Sequence, residues 1–237
     1  PLHLIHSARI TSNYALAQGE NDLRFCAWMD RADVHQAQID HAVHVALNNG
    51  KGFQLFLQPK VRVSDGVCDG AEALLRWYSE ELGWLPPPDV IATVERLGLR
   101  KQFNRWLFHG VSSVLAELRE SQVNIQVSLN LQSVDLRDPE VPELLLHALQ
   151  TRRLDPASVQ VEITETGMLE NSEVVSQVLD LLTQAGITIS IDDFGTGFAT
   201  MSYLRDLPLR EVKIDQSFVR AIDSSHHNRE IVTSVIE

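Results

Sequence analysis

Cysteine, positive charge, long apolar runs and an initiator methionine are all scarce or missing in this chain, and each lack removes a class of answer. Cys26 and Cys68 are the only cysteines in 237 residues, too few for a disulfide framework and in keeping with a reducing compartment. Lys and Arg number 20 against 32 Asp and Glu, a net charge of -12, so phosphate backbones and anionic membrane surfaces repel the chain at long range; nonspecific nucleic-acid binding is excluded as a role. Apolar runs stop short of the roughly 20 residues that a membrane span needs, and no signal peptide is visible. This portion is therefore expected to be cytoplasmic, and any anchoring of a parent protein to the inner membrane would come through upstream segments. The chain opens at Pro1 and ends at Glu237 inside a helical pattern (Glu230 to Ile236), which reads as a fragment of something longer. What is present, 44% hydrophobic and 22% charged residues, is the make-up of a soluble globular protein able to bury a proper core.

The first thirty residues read as a helix followed by a strand, Leu23 to Trp28, a pair that cannot bury its own apolar faces and so looks like the end of another domain. A connecting helix follows over residues 30–50, with Ile39, Val43 and Leu47 at helical spacing and Asn48-Asn49-Gly50 as its stop. Its His41 and His44 share a face, but no carboxylate or cysteine completes a metal site there. From Phe53 the pattern turns regular. Two strands flank Ser64-Asp65-Gly66 as an antiparallel hairpin, and helices run from Pro86-Pro87-Pro88 to about Glu120. Strands and helices then alternate: strands Asn124–Asn130, Val159–Thr164, Ile187–Ile191 and Glu211–Ile214, with helices between them and from Ala199 and Gln216. Alternation of this kind implies parallel strands joined by crossover helices.

The stretch Ile189-Ser190-Ile191-Asp192-Asp193-Phe194-Gly195-Thr196-Gly197 organises the rest. A buried strand runs into two adjacent carboxylates and a glycine turn. Side chains alternate across a strand, so Asp192 and Asp193 can face one point only where the strand ends or bulges. Glu72, Asn130, Glu162, Asp192 and Lys213 fall in or at the far ends of five successive strands that are otherwise apolar. In a barrel the carboxyl ends of all strands ring one mouth, where such groups converge; in an open sheet they would be strung along an edge. Oxygen-only donors favour Mg²⁺ or Mn²⁺ over zinc, and two metals sharing Asp192 would suit phosphoryl hydrolysis. Six strands are visible where a full barrel has eight.

In order and spacing, Gln58-Pro59-Lys60, Glu72-Ala73-Leu74-Leu75-Arg76, Asn130, Glu162-Ile163-Thr164-Glu165, Asp192-Asp193-Phe194-Gly195-Thr196-Gly197 and Lys213-Ile214-Asp215 resemble the EAL-domain family of bacterial cyclic di-GMP phosphodiesterases. The resemblance covers residues 51–237 and implies an α/β fold, a modified TIM (β/α)8 barrel with an antiparallel first strand, here truncated after about six strands. It implies hydrolysis of cyclic di-GMP to linear pGpG by two Mg²⁺ or Mn²⁺ ions. By position, Glu72, Asn130, Glu162 and Asp192 match ligands of one metal, with Asp192 bridging and Asp193 serving the second. Lys213 matches the residue that orients or activates the attacking water. Gln58, Leu74, Arg76 and Asp215 match the dinucleotide pocket, and Glu165 the acid that holds the Asp193–Thr200 loop, a loop that in the family also takes part in a homodimer.

Departures are few: Phe198-Ala199-Thr200 stands for the usual Tyr-Ser-Ser, and Gln132 for a usual Ser. The family's later Glu-Gly-Val-Glu stretch, which completes the second metal site, falls beyond Glu237, so this chain alone is expected to be catalytically incomplete. Residues 1–29 resemble the closing helix and strand of a GGDEF domain, with Ala15, Gly19 and Asn21 fitting its pattern. The competing reading is a catalytically silent cyclic di-GMP receptor. Degenerate members of that kind lose the motif Glu or a metal acid, and this chain keeps every one that it is long enough to include.

Overall fold

A strand that alternates apolar and polar residues needs helices on one face and, on the other, a place that tolerates polarity. Gln126–Leu131, Val159–Thr164 and Thr188–Asp192 all alternate in this way, and the fold follows from it. The structure, a computed structural model, describes residues 31–165, 173–195, 209–220 and 222–236. The helix and strand expected before residue 30, the helix expected from Ala199 and the Thr196–Thr200 end of the glycine loop lie outside the described residues. The chain divides into two compact units, one made of the residues up to Gln54 with Leu75–Trp106, the other of Leu55–Leu74 with Leu107–Glu237.

The elements in chain order are α1 (Arg31–Asn49), β1 (Phe53–Val61), β2 (Cys68–Ser79), β3 (Gly83–Leu85), α2 (Pro87–Arg96), α3 (Arg100–Glu120), β4 (Gln126–Leu131), α4 (Ser133–Leu136), α5 (Val141–Thr151), β5 (Val159–Thr164), α6 (Glu173–Gln184), β6 (Thr188–Phe194), β7 (Leu209–Ile214), α7 (Gln216–Arg220) and α8 (His226–Ile236). The strands hydrogen-bond in the order β1-β2-β4-β5-β6-β7, with β3 added antiparallel to the end of β2. From β2 to β7 the neighbours are parallel. The six residues between β1 and β2 leave room only for an antiparallel hairpin, closed where the Arg62 N–H donates to the Val67 carbonyl. Alternation therefore produced the parallel sheet, and the turn residues the hairpin, as the sequence predicts. The short β3 and α4 are additions that the pattern did not foretell. No strand pairs β1 with β7 among the described residues, so the described strands do not close into a barrel.

In the second unit the outward face of the sheet is apolar throughout: Val127, Leu129, Leu131, Val159, Val161, Ile163, Ile189 and Ile191 are 0–3% exposed. Helix α6 packs on β6 and meets α4 and α5, bringing Val178, Leu179 and Leu182 to the core. Each such side chain stabilises the fold by about 1.5–3 kcal/mol on burial. The opposite face carries Gln126, Ser128, Asn130, Gln160, Glu162, Thr164, Thr188, Ser190, Asp192, Glu211 and Lys213, aligned in register as Asn130 with Glu162, Glu162 with Ser190, Thr164 with Asp192 and Ser190 with Glu211. Lys60 on β1 lies 2.9 Å from Glu211 on β7, so the two outermost strands of the path meet across this face and the sheet must curl to enclose it.

In the first unit α1 packs on α2. Asp40, only 6% exposed, receives both NH groups of the Arg96 guanidinium, which balances its buried charge. Phe53, Trp77, Phe103 and Trp106 form an aromatic cluster with centroid separations of 5.1 to 6.4 Å. Gly52 sits against it at φ +94°, where an added Cβ would lie 2.9 Å from both Trp77 Nε1 and the Tyr78 carbonyl oxygen. Gly52→Ala is expected to lower stability by about 1–3 kcal/mol through strain and displacement of Trp77, read as a lower urea midpoint. A midpoint equal to that of the parent would show that the backbone at Gly52 is free to relax.

Candidate active site

Glu162 is the centre of the inward face. The period-two pattern of Val159–Thr164 turns it away from the helices, yet it is wholly buried, a position that costs an isolated carboxylate several kcal/mol. Two ammonium groups compensate. Lys213 Nζ on β7 lies 2.6 Å from Glu162 Oε2, 3.0 Å from Glu72 Oε2 and 3.1 Å from Asp192 Oδ2. Lys60 Nζ on β1 lies 2.8 Å from Glu162 Oε1 and 2.9 Å from Glu211 Oε1, and donates to Gln160 Oε1 at 2.8 Å. Burial pushes the Glu162 carboxyl up, but hydrogen bonds from Lys213, Lys60 and Ser128 outweigh it and hold the group below its ordinary value. Lys213 moves in the complementary sense: burial works against its charge, and Glu162, Glu72 and Asp192 overcome that and hold the ammonium above the ordinary lysine value.

Asn130 Nδ2 donates to Glu72 Oε1 at 2.9 Å, which places the amide beside the carboxylates. Ligand oxygens from Glu72, Glu162 and Asp192 all lie within 4.8 Å of one another. Glu72, Glu162, Asp192 and Glu211 face two lysines, an excess of two negative charges that one divalent cation would neutralise. Hard carboxylate and amide oxygens at this spacing fit a metal ion of the oxygen-preferring kind.

The two adjacent aspartates lie at a bulge, one of the two irregularities, strand end or bulge, that alternation allowed. The β6–β7 register shifts between Ile191 and Phe194, and Asp193 stands at φ +54°, in the left-handed region that few residues besides glycine occupy. Its N–H turns back to Asp192 Oδ1 at 3.0 Å. Burial first, then the charges of Asp192 and Asp215, raise the Asp193 carboxyl above its ordinary value. Asp215 is instead held low by bonds from the Ser217 hydroxyl and N–H. Glu165, 2% exposed, accepts the Gly195 N–H at 3.0 Å. Gly195 itself is at φ +98°, and an added Cβ would meet the Phe218 ring at 2.8 Å, so this turn has room only for glycine.

The structure thus gathers Glu72, Asn130, Glu162, Asp192 and Lys213 into one cluster, with Asp193 beside it, close enough to Asp215 for that charge to raise its carboxyl, and Glu165 holding the turn. Gln58 is exposed on β1 and shares a face with Lys60, while Leu74 shares a face with Glu72. Arg76 lies in the other unit and donates to the Leu75 carbonyl at 2.8 Å. Sequence reasoning missed the half of the cluster nearer the starts of β5, β6 and β7: Lys60, Gln160, Ser190 and Glu211, the last of which accepts the Ser190 hydroxyl at 3.1 Å. Its signal was present as alternation in Val159-Gln160-Val161-Glu162 and Ile189-Ser190-Ile191-Asp192, which marks a polar face along the whole strand and not only at its end.

A family profile described as EAL domain matches residues 40–237. The chain belongs to the EAL-domain family. This EAL domain is 29% identical over 235 residues to the cyclic di-GMP phosphodiesterase PA2567 of Pseudomonas aeruginosa, covering 99% of this chain and 40% of that protein. It is 30% identical over 229 residues to the cyclic di-GMP phosphodiesterase PdeR of Escherichia coli, covering 95% and 34%. The solved structure of the PaMucR phosphodiesterase in complex with c-di-GMP aligns with a TM-score of 0.78 at 28% identity, covering 84% of this chain and 81% of that one. The chain thus spans less than half the length of these curated relatives, while its α/β fold is that of solved EAL domains.

Because Glu162 is depressed, its ion pairs stabilise the fold above the unfolded carboxylate value of 4.5 and fade as pH falls through the lower folded value. With a chelator present, Glu162→Gln should cost about 1–3 kcal/mol at pH 7 by removing the one carboxylate that Lys60 and Lys213 share, each half-buried lysine keeping its other acidic partners, and the gap to the parent should narrow toward pH 3. A gap independent of pH in denaturant titrations would contradict the ion pairing.

Proposed function

We propose that this EAL domain is the hydrolytic part of a longer cytoplasmic protein that cleaves cyclic di-GMP to linear pGpG and so lowers signalling by that messenger. One observation carries the reading: three carboxylate oxygens within 4.8 Å of one another, with the Lys213 ammonium bonded to all three residues. A merely structural ion pair has no use for that acid excess, whereas a phosphodiester site needs cations held at it. The relatives' names and the c-di-GMP complex of the structural neighbour support the same substrate.

Glu72, Asn130, Glu162 and Asp192 would hold one Mg²⁺ or Mn²⁺ ion, with Asp192 shared and Asp193 serving a second. When bound, such ions supply Lewis acidity that makes water a nucleophile near neutral pH and offsets charge on the phosphoryl group. Asp193 suits a cationic neighbour because its ionised form is disfavoured by burial and by Asp192 and Asp215. Lys213 is held as an ammonium, a donor and not a base. It therefore orients the attacking water through its N–H groups and balances charge as phosphorus gains one oxygen and loses another. Glu165 positions the Gly195 turn, and by resemblance to the family the Asp193–Thr200 loop would take part in a homodimer. Gln58, Leu74, Arg76 and Asp215 would bind the dinucleotide, Arg76 offering its planar fork to a phosphate.

Hydrolysis of cyclic di-GMP in Mn²⁺ by the protein extended beyond Glu237, alongside the 237-residue chain, tests the reading. Turnover by the long form is expected, with Glu72→Ala abolishing it. Lys213→Ala should lower kcat by about 100- to 1,000-fold with a small change in KM. An effect confined to KM would make Lys213 a binding residue, and binding of cyclic di-GMP without turnover by the long form would place the protein among receptors.

A further inference from the structure

The two oxygens of Glu162 are shared out between two different lysines, Oε2 to Lys213 and Oε1 to Lys60. The lysines themselves are unlike. Lys213 is bonded to Glu72, Glu162 and Asp192, the very carboxylates that a cation would claim, so its contacts must change when one binds. Lys60 is tied to Glu162, Gln160 and Glu211 at 2.8, 2.8 and 2.9 Å. An ammonium has three N–H donors, and all three are used here. Gln160 lies two residues before Glu162 on the same face of β5, and Glu211, itself bonded by the Ser190 hydroxyl, stands two residues before Lys213 on β7. Two of the three acceptors of Lys60, Gln160 and Glu211, thus belong to the layer beneath the carboxylates that would meet a metal.

We propose that Lys60 is a positioning residue for metal binding: by occupying Glu162 Oε1 from beneath, it makes Glu162 a one-oxygen ligand that offers Oε2 alone to the cation. A carboxylate with both oxygens at liberty can rotate between one- and two-oxygen binding, and a ligand in a fixed rotamer loses less freedom when the ion arrives. A purely electrostatic role for Lys60 makes the opposite forecast, since deleting a positive charge beside an acidic site would tighten cation binding. The inference rests on the metal-site reading above and goes beyond it in naming the residue that aims the ligand.

The test is a calorimetric titration of the 237-residue chain with Mn²⁺ alone, followed by hydrolysis of cyclic di-GMP by the extended protein. Lys60→Met should weaken Mn²⁺ binding by about 10- to 100-fold. At saturating Mn²⁺ it should restore most of the turnover and leave KM for cyclic di-GMP unmoved. Should Lys60→Met not fold because Glu162 and Glu211 lose a partner together, Lys60→Met/Glu211→Gln removes one of those charges and is expected to show the same weakening. Unchanged or tighter Mn²⁺ binding in a folded variant, or a lowered melting temperature with unaltered Mn²⁺ affinity, would overturn the proposal. Mn²⁺ binding by the unsubstituted 237-residue chain together with no hydrolysis by the extended protein would defeat the phosphodiesterase reading while leaving the Lys60 comparison decisive; no Mn²⁺ binding by the unsubstituted chain would defeat both.

Discussion

One carboxylate between two ammonium groups, Lys60–Glu162–Lys213, is the constraint on which the inward face depends. Glu162 has no exposed surface, so its charge survives only with partners on both oxygens. Those partners sit on the first and last strands of the sheet path, β1 and β7. Electrostatics inside the curl therefore does what hydrogen bonding does between neighbouring strands: it ties together strands that are not adjacent. Such a core is unusual in being polar, and the eight buried aliphatic residues of the outward face supply the stability that lets it be so.

The same interaction divides the site into two layers along the strands. Gln160, Ser190, Glu211 and Lys60 form a lower polar layer in which Lys60 donates to Gln160 and Glu211 and the Ser190 hydroxyl donates to Glu211. Above it, Glu72, Glu162 and Asp192 share a single ammonium and keep an acid excess. The lower layer holds geometry, and the acid-rich upper one invites a cation. The strained Asp193 at φ +54° belongs to the upper layer, where unfavourable backbone and a raised carboxyl value are features that a functional site tolerates.

Much of this was legible in the sequence, and for identifiable reasons. Alternating strands and helices forced the parallel order, Ser64-Asp65-Gly66 the hairpin, and isolated acids in apolar strands the upper layer of the cluster. An irregularity at Asp192-Asp193, either a strand end or a bulge, followed from alternation, because no regular strand turns adjacent side chains to one point; the structure has the bulge. The lower layer escaped because Gln160, Ser190 and Glu211 are ordinary polar residues whose importance lies in what curls over them; spacing along one strand says nothing about which strand faces it across an interior. Strand β6 also runs to Phe194, beyond the end that its apolar stretch implied, since backbone pairing with β7 resumes after the bulge. The division of the chain into two units was not visible either, because β1, β2 and α3 each pass through both.

Diffraction from crystals of this chain grown with Mn²⁺, collected for the anomalous signal of manganese, tests the central claim most directly. The expected result is a peak in contact with Glu72, Asn130, Glu162 and Asp192, with Lys213 shifted from its bonds to those carboxylates and Lys60 still on Glu162 Oε1. No peak among these residues, with Lys213 still bonded to all three carboxylates, would mean that the cluster is a structural ion network and not a metal site.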